Sequence, residues 1–157
     1  MAAFDALRHA ALFRDFTETG LRIFAGIAQE KSIPAGSPLF VENMVGESLF
    51  IVRSGKVRIT QRAPEGDREL ATVGAGEHLG ELALLGKSVR LVSAIAATRC
   101  EVVEITQRDF VKPQPQKPQA CLKLALAIAQ DLAQRVADSR DLLRELATRA
   151  ASKRSGA

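Results

Sequence analysis

A mainly β domain flanked by helices is the architecture that this sequence predicts, on three observations. Turn signals recur at short intervals between about residues 28 and 105: Pro34-Ala35-Gly36, Asn43 to Gly46, Ser54-Gly55, Pro64-Glu65-Gly66-Asp67 and Gly74-Ala75-Gly76. Between them lie β-branched runs such as Leu49-Phe50-Ile51-Val52 and Val57-Arg58-Ile59-Thr60. From Gln119 to about Ala151, by contrast, no Pro or Gly occurs and Ala and Leu dominate. Short strands cut by Gly-rich turns suit a sandwich, jelly roll or barrel, and an unbroken Ala/Leu stretch suits a long helix.

The elements follow in order. Residues 1 to about 27 read as helical, with Phe4, Leu7, Ala11 and Leu12 on one face and Thr17 capping a second helix that carries Leu21, Phe24 and Ile27. Ser54-Gly55 reads as a tight hairpin between the strands Leu49–Val52 and Val57–Thr60. Later strands are expected at Glu69–Val73, Leu91–Ala96 and Glu101–Ile105. Pro113, Pro115 and Pro118 forbid a helix through their stretch. The organisation is thus 1–112 for the N-terminal helices and β region, 113–118 for a Pro-rich connection, 119–151 for the long helix and 152–157 for a basic tail. In that helix Leu122, Ala125, Ala129, Leu132, Val136, Ser139, Leu143 and Leu146 step by three and four, a heptad seam with a polar break at Ser139. Leu124, Leu126 and Ile128 supply a second apolar surface near its start. Two such surfaces suit a helix that touches its own barrel and a partner chain, so a homodimer through 119–151 is expected.

Composition removes several functions. The chain has 157 residues, 46% hydrophobic and 25% charged, which suits one globular domain. No run approaches the length of a membrane span, and the N-terminus lacks a signal-peptide pattern, so a cytoplasmic location without membrane contact is expected. Cys100 and Cys121 read as free thiols in a strand and near a helix start. His9, on the N-terminal helix, and His78, in a loop, are the only histidines. Metal binding and a His-dependent catalytic centre are therefore not expected, and the chain is read as no enzyme, with no cofactor. The net charge is +4, and residues 119–157 hold seven basic and four acidic residues, or +3. Because acids interleave with the bases, a solvated helix face fits better than nucleic-acid binding. The absence of Tyr and Trp also limits base stacking.

One stretch carries chemistry. Within Gly76–Ala94, one turn of helix former, Glu81 to Leu85, lies between Gly80 and Gly86. A helix start presents unpaired N–H donors and attracts anions. Arg90 follows amid Val89, Leu91 and Val92, where a guanidinium is costly unless it meets an anion. A carboxylate beside a phosphate makes sense if the ligand also carries a hydroxyl for Glu81 to accept, which points to a nucleotide. The alternative is a plain connecting helix, with Arg90 on the surface or paired with Glu81.

Here the sequence resembles the cyclic-nucleotide-binding domain of bacterial catabolite activators, protein kinase A regulatory subunits and cyclic-nucleotide-gated channels. The resemblance rests on Gly80-Glu81-Leu82-Ala83-Leu84, Arg90 and Ser93, with Ile33-Pro34-Ala35-Gly36, Leu39-Phe40 and Gly46 to Val57 upstream, and covers roughly residues 5 to 110. It implies an eight-stranded jelly roll with a long C-terminal helix. It implies that Glu81 and the Gly80 carbonyl hold the ribose hydroxyl and that Arg90 holds the cyclic phosphate. Ala83 and Leu91 would add backbone donors, Leu82 would line the pocket, and the base would lie against Val73 under the C-terminal helix. Ser93 is the small hydroxyl residue of the motif. The sequence departs from the family at Val89, where Pro is frequent, and at Leu79, where Phe is frequent. Leu91 stands where cyclic-GMP binders often carry Thr, so cyclic AMP is favoured, with cyclic GMP as the other ligand. Past Ala151 six residues remain, too few for a helix-turn-helix of about 20 residues. The expected role is a stand-alone sensor acting on an unidentified effector protein, without DNA binding. The alternative is a dimerisation or adaptor module that keeps the fold without ligand.

Overall fold

The computed structural model describes residues 2–155; residue 1 of the first segment and residues 156–157 of the tail lie outside the described residues. The N-terminal segment is α1 (Ala2–Arg8), a 3-10 turn (Ala11–Phe13) and α2 (Glu18–Ala25). Thr17 caps α2 as expected, its hydroxyl accepting from the Gly20 N–H at 3.1 Å. The strands that follow are β1 (Gln29–Ile33), β2 (Pro38–Phe40), β3 (Val45–Gly46), β4 (Ser48–Ser54), β5 (Val57–Ala63), β6 (Gly66–Val73), β7 (His78–Leu79), β8 (Ser88–Val89), β9 (Ser93–Ala96) and β10 (Cys100–Thr106). They form two four-stranded antiparallel sheets, β1-β10-β4-β7 and β2-β9-β5-β6, and a small ladder β3-β8. The mainly β class and its flanking helices stand as the sequence indicated, with the strands divided into ten short segments among the described residues.

The connection at Ser54-Gly55 differs from the expected hairpin. β4 pairs with β10 and β7, whereas β5 pairs with β6 and β9, so the chain crosses there from one sheet to the other. Gly55 has φ +91°, and a Cβ on it would lie 2.4 Å from the Arg99 carbonyl oxygen. The turn is thus tight because a strand end passes over it, and no ladder flanks it. The jelly roll places the apolar sides of both sheets inward. Phe50, Val52, Val57, Leu79, Ala94, Ala96, Cys100 and Val102 form the core between the sheets.

A second core lies under the helices. It gathers Leu7, Leu12, Phe13, Leu21 and Phe24 from the N-terminal segment, Leu49, Ile51, Val103 and Ile105 from β4 and β10, and Phe110 from α4 (Gln107–Val111). Cys121, Leu124 and Ile128 complete it from α5 (Pro118–Asp138). Pro118 begins α5, one residue before the expected start, in the first helical turn, where its missing N–H is harmless. The expected single helix over 119–151 is two helices, α5 and α6 (Arg140–Ser155). Ser139 separates them: its hydroxyl donates to the Arg135 carbonyl at 2.8 Å, a bond that competes with the backbone ladder and bends helices. The barrel-facing residues of α5 are Cys121, Leu124 and Ile128, whereas Leu126 is exposed. Of the heptad seam, Leu122, Leu132, Val136, Leu143 and Leu146 are all exposed.

Both cysteines are free and buried, and burial raises both thiol pKa values. No helix among the described residues is long and apolar enough to cross a membrane.

Candidate functional site

Arg90 sits between β8 and β9, ahead of the strand that had been expected to begin at Leu91. Its backbone is clamped by the β3-β8 arm: the Arg90 N–H donates to the Met44 carbonyl at 2.7 Å, and the Asn43 N–H donates to the Arg90 carbonyl at 2.8 Å. The side chain therefore turns inward, and the residue is only 7% exposed. Nη2 donates to the Ser48 carbonyl at 2.7 Å and Nη1 to the Gly80 carbonyl at 3.0 Å. The guanidinium carbon lies 4.1 Å from the Phe40 ring centroid, a cation–π contact. Two glycines make the space. A Cβ on Gly46 would come within 3.0 Å of the guanidinium, and one on Gly80, which has φ +76°, would reach Nη1 at 2.6 Å. Burial lowers the Arg90 pKa, and the Glu81 and Glu104 carboxylates offset part of that shift. An arginine stays cationic through such a shift, so the site holds a buried positive charge with N–H groups left over for an anion.

Glu81 precedes the short helix α3 (Leu82–Leu85) and is 5% exposed. It does not pair with Arg90. Its Oε1 instead meets Nη1 of Arg135, on α5, at 3.3 Å. The Arg135 Nε lies 3.1 Å from Asp131 Oδ2, and that oxygen lies 3.0 Å from His78 Nε2. His78 is thus a buried strand residue, not a loop residue, because β7 pairs it with Ile51. His78, Glu81 and Asp131 bring one nitrogen and two carboxylate oxygens within 4.8 Å of one another, and the Arg135 guanidinium is the cation against both carboxylates.

A cavity of about 550 Å³ is lined by Arg90, Glu81, His78 and Arg135 together. Of the eight expected site residues it is lined by Val73, Gly80, Glu81, Leu82, Arg90 and Leu91. Ala83 and Ser93 do not line it. Ala83 is fully buried, and its N–H already donates to the Gly80 carbonyl at 3.2 Å, so the start of α3 offers no unpaired donor there. That carbonyl also accepts from Arg90, and the buried Glu81 carboxylate is an acceptor on the cavity wall. Ser93 accepts from the Glu42 N–H at 2.9 Å and borders a different hollow, bracing the loop before β3. Phe40, Ile59, Ala71, His78 and Arg135 line the cavity as well and had not been foreseen. Phe40 lay in the matched Leu39-Phe40 pair, so its contact with the motif arginine could have been inferred. Nothing local marked Arg135. The arrangement is a buried cation, a buried carboxylate and an apolar wall around a volume suited to a small molecule.

The family model of the cyclic nucleotide-binding domain matches residues 30–112. The chain belongs to the cyclic nucleotide-binding domain family. The chain is 29% identical over 127 residues to the cyclic AMP receptor protein of Thermus thermophilus, covering 80% of this chain and 59% of that protein. Among solved structures, the N-terminal domain of a transcriptional regulator from Streptomyces coelicolor is 27% identical with a TM-score of 0.76, covering 87% of this chain and 95% of that one. The regulatory domain of Toxoplasma gondii PKA, crystallised with cAMP, is 31% identical with a TM-score of 0.64, covering 71% of this chain and 42% of that one. The chain spans about three fifths of the length of the Thermus relative. The resemblance carried by the Gly80–Leu84 motif and Arg90 thus identified the family.

Proposed function

We propose that this domain binds a cyclic nucleotide, cyclic AMP in preference to cyclic GMP, as a regulatory sensor that signals through the position of its C-terminal helices. The observation that carries the reading is the convergence of Arg90 and Glu81, two buried side chains of opposite charge, on one cavity with an apolar wall. The cyclic phosphate takes the free edge of the Arg90 fork. Glu81 accepts from the ribose hydroxyl, and the base lies against Val73 and Ile59. Leu91 lines the cavity without a hydroxyl to offer guanine, which favours adenine. The preference for adenine rests on Leu91, since the relatives include both a cyclic AMP receptor and cGMP-dependent protein kinases. The test is calorimetric titration with cyclic AMP, cyclic GMP and 5′-AMP, together with denaturation in their presence. Cyclic AMP is expected to bind tightest and, at a hundred times its dissociation constant, to add about 2.7 kcal/mol of stability. No binding by either cyclic nucleotide would overturn the reading and leave a dimerisation or adaptor module.

The exposed leucines favour a second copy of the chain as partner. Leu122, Leu132, Val136, Leu143 and Leu146 keep heptad spacing on both sides of Ser139 and are all exposed. Sedimentation of the full chain is expected to give a dimer, and Leu132→Glu with Val136→Glu a monomer. A monomeric wild-type chain at tens of micromolar would refute the dimer. The effector is a further protein, and the localisation a cytoplasmic one.

A further inference from the structure

The strand that carries Phe40 is irregular at one place. β2 pairs with β9 with Pro38 opposite Ile95 and Phe40 opposite Ala94, so two steps along β2 match one step along β9. Regular pairing would set Phe40 opposite Ser93, on the outer side of the sheet, where Pro38, Ser93 and Ile95 border one hollow. The extra residue in β2 re-aims the side chains that follow, as bulges do. Leu39 and Phe40 both pack against the core between the sheets, and Ala94, opposite Phe40, is fully buried. The Phe40 ring lies 6.2 Å, centroid to centroid, from the buried Phe50 ring, and the Arg90 guanidinium lies over it at 4.1 Å. The same ring lines the cavity.

The two carbonyls that hold Arg90 leave one motion open. Nη1 on Gly80 and Nη2 on Ser48 fix the guanidinium at two points, and a plane fixed at two points can still tilt about the line through them. A ring against the face of the guanidinium stops that tilt, and the attraction of an aromatic quadrupole for the cation favours this contact over an aliphatic one. We propose that Phe40 is a positioning residue for the anion site: its ring sets the tilt of the Arg90 fork so that the unused N–H groups meet the ligand phosphate. This rests on the reading above that Arg90 takes the cyclic phosphate. The bulge at Leu39 delivers the ring, and Phe50 ties it to the core between the sheets. Ligand affinity thus depends on a side chain that gives the phosphate no hydrogen bond, through the ordering of the one that does.

The experiment is a double-mutant cycle on the full chain: wild type, Phe40→Leu, Arg90→Ala and the double variant, each titrated calorimetrically with cyclic AMP. Phe40→Leu is expected to weaken binding about 3- to 10-fold, and by less than about twofold once Arg90 is absent. A spectroscopic reading accompanies it. In the ligand-free wild type the Arg90 Nε–H proton, assigned by its loss in Arg90→Ala, should resonate upfield of those of the other arginines because of the Phe40 ring current. Binding by Phe40→Leu within about twofold of wild type overturns the positioning role and leaves the proposed function standing. So does an equal loss with and without Arg90, which would mean that the ring does not act through the guanidinium. A wild-type Arg90 proton without the upfield shift overturns it as well, whatever the variants do. Absence of cyclic AMP binding by the wild type overturns the proposed function itself, and the positioning role with it.

Discussion

Arg90→Ala is expected to weaken cyclic AMP binding by at least roughly thirtyfold, which corresponds to about 2 kcal/mol or more. The guanidinium is pre-aimed. Ser48 and Gly80 carbonyls fix two of its donors, Phe40 supports its face, and the Met44 carbonyl anchors its backbone. A ligand phosphate therefore meets a cation whose desolvation and ordering are already complete, which is why its removal costs more than a surface charge would. Arg90→Lys should recover only part of the loss, because an ammonium cannot serve the two carbonyls and a phosphate in one plane. Folding must be monitored alongside binding. Truncation removes one donor from each of the Ser48 and Gly80 carbonyls, but it opens the cavity to water that can replace it. Far-UV circular dichroism and the unfolding midpoint of the ligand-free variant should thus change much less than the affinity. An affinity within twofold of wild type would remove Arg90 from the site.

Much of this site was legible in the residues around it. A guanidinium between Val89 and Leu91, nine residues after an isolated carboxylate, is a local anomaly, and local anomalies can be read from a linear chain. The strands were legible for the same reason, since turn residues punctuate them. Three features were not, each because it depends on what lies across space. The link at Ser54-Gly55 looks identical whether it joins partners in one sheet or crosses between two; only the ladders of β4 with β10 and of β5 with β9 decide. The α3 donors were expected to be unpaired, but a single helical turn folds its own Ala83 N–H back onto Gly80. Arg135 and Asp131 read as a solvated helix face, the ordinary fate of i, i+4 opposite charges. Arg135 becomes a cavity residue, with Asp131 beside it at 3.1 Å, because the stripe that buries Leu124 and Ile128 carries the helix to the cavity. Of the two apolar surfaces read on this helix, the seam through Leu122 and Leu132 is exposed, whereas Leu124 and Ile128 of the second dock beside Cys121, and Leu126 is exposed. Two adjacent apolar rows on one helix leave that choice to the barrel.

Phe24→Ala should destabilise the domain by about 3–5 kcal/mol, the range for an aromatic side chain deleted from a core. Phe24 is fully buried. Its ring centroid lies 5.8 Å from those of Phe13 and Phe16 and 6.3 Å from that of Phe110, so one ring joins the N-terminal turn, α2 and α4. Such ring pairs contribute about 0.5–1.5 kcal/mol each beyond the area they bury. The surroundings are poorly placed to collapse into the void, because the same core is bounded on its far side by the sheet residues Ile51 and Ile105. Against a total stability of about 5–15 kcal/mol, the loss is a large fraction, and urea unfolding followed by circular dichroism would read it as a fall in midpoint at unchanged slope. Val111→Ala, at an exposed position of α4, is the matched control, with an expected change within about 0.5 kcal/mol. The consequence reaches the ligand site. Leu124 and Ile128 dock α5 on this aromatic cluster's core, and that docking is what brings Arg135 to the cavity wall. A Phe24→Ala protein whose unfolding free energy stays within about 1 kcal/mol of wild type would mean that Phe24 does not tie the helices to the barrel, and the docking of α5 would lose that support.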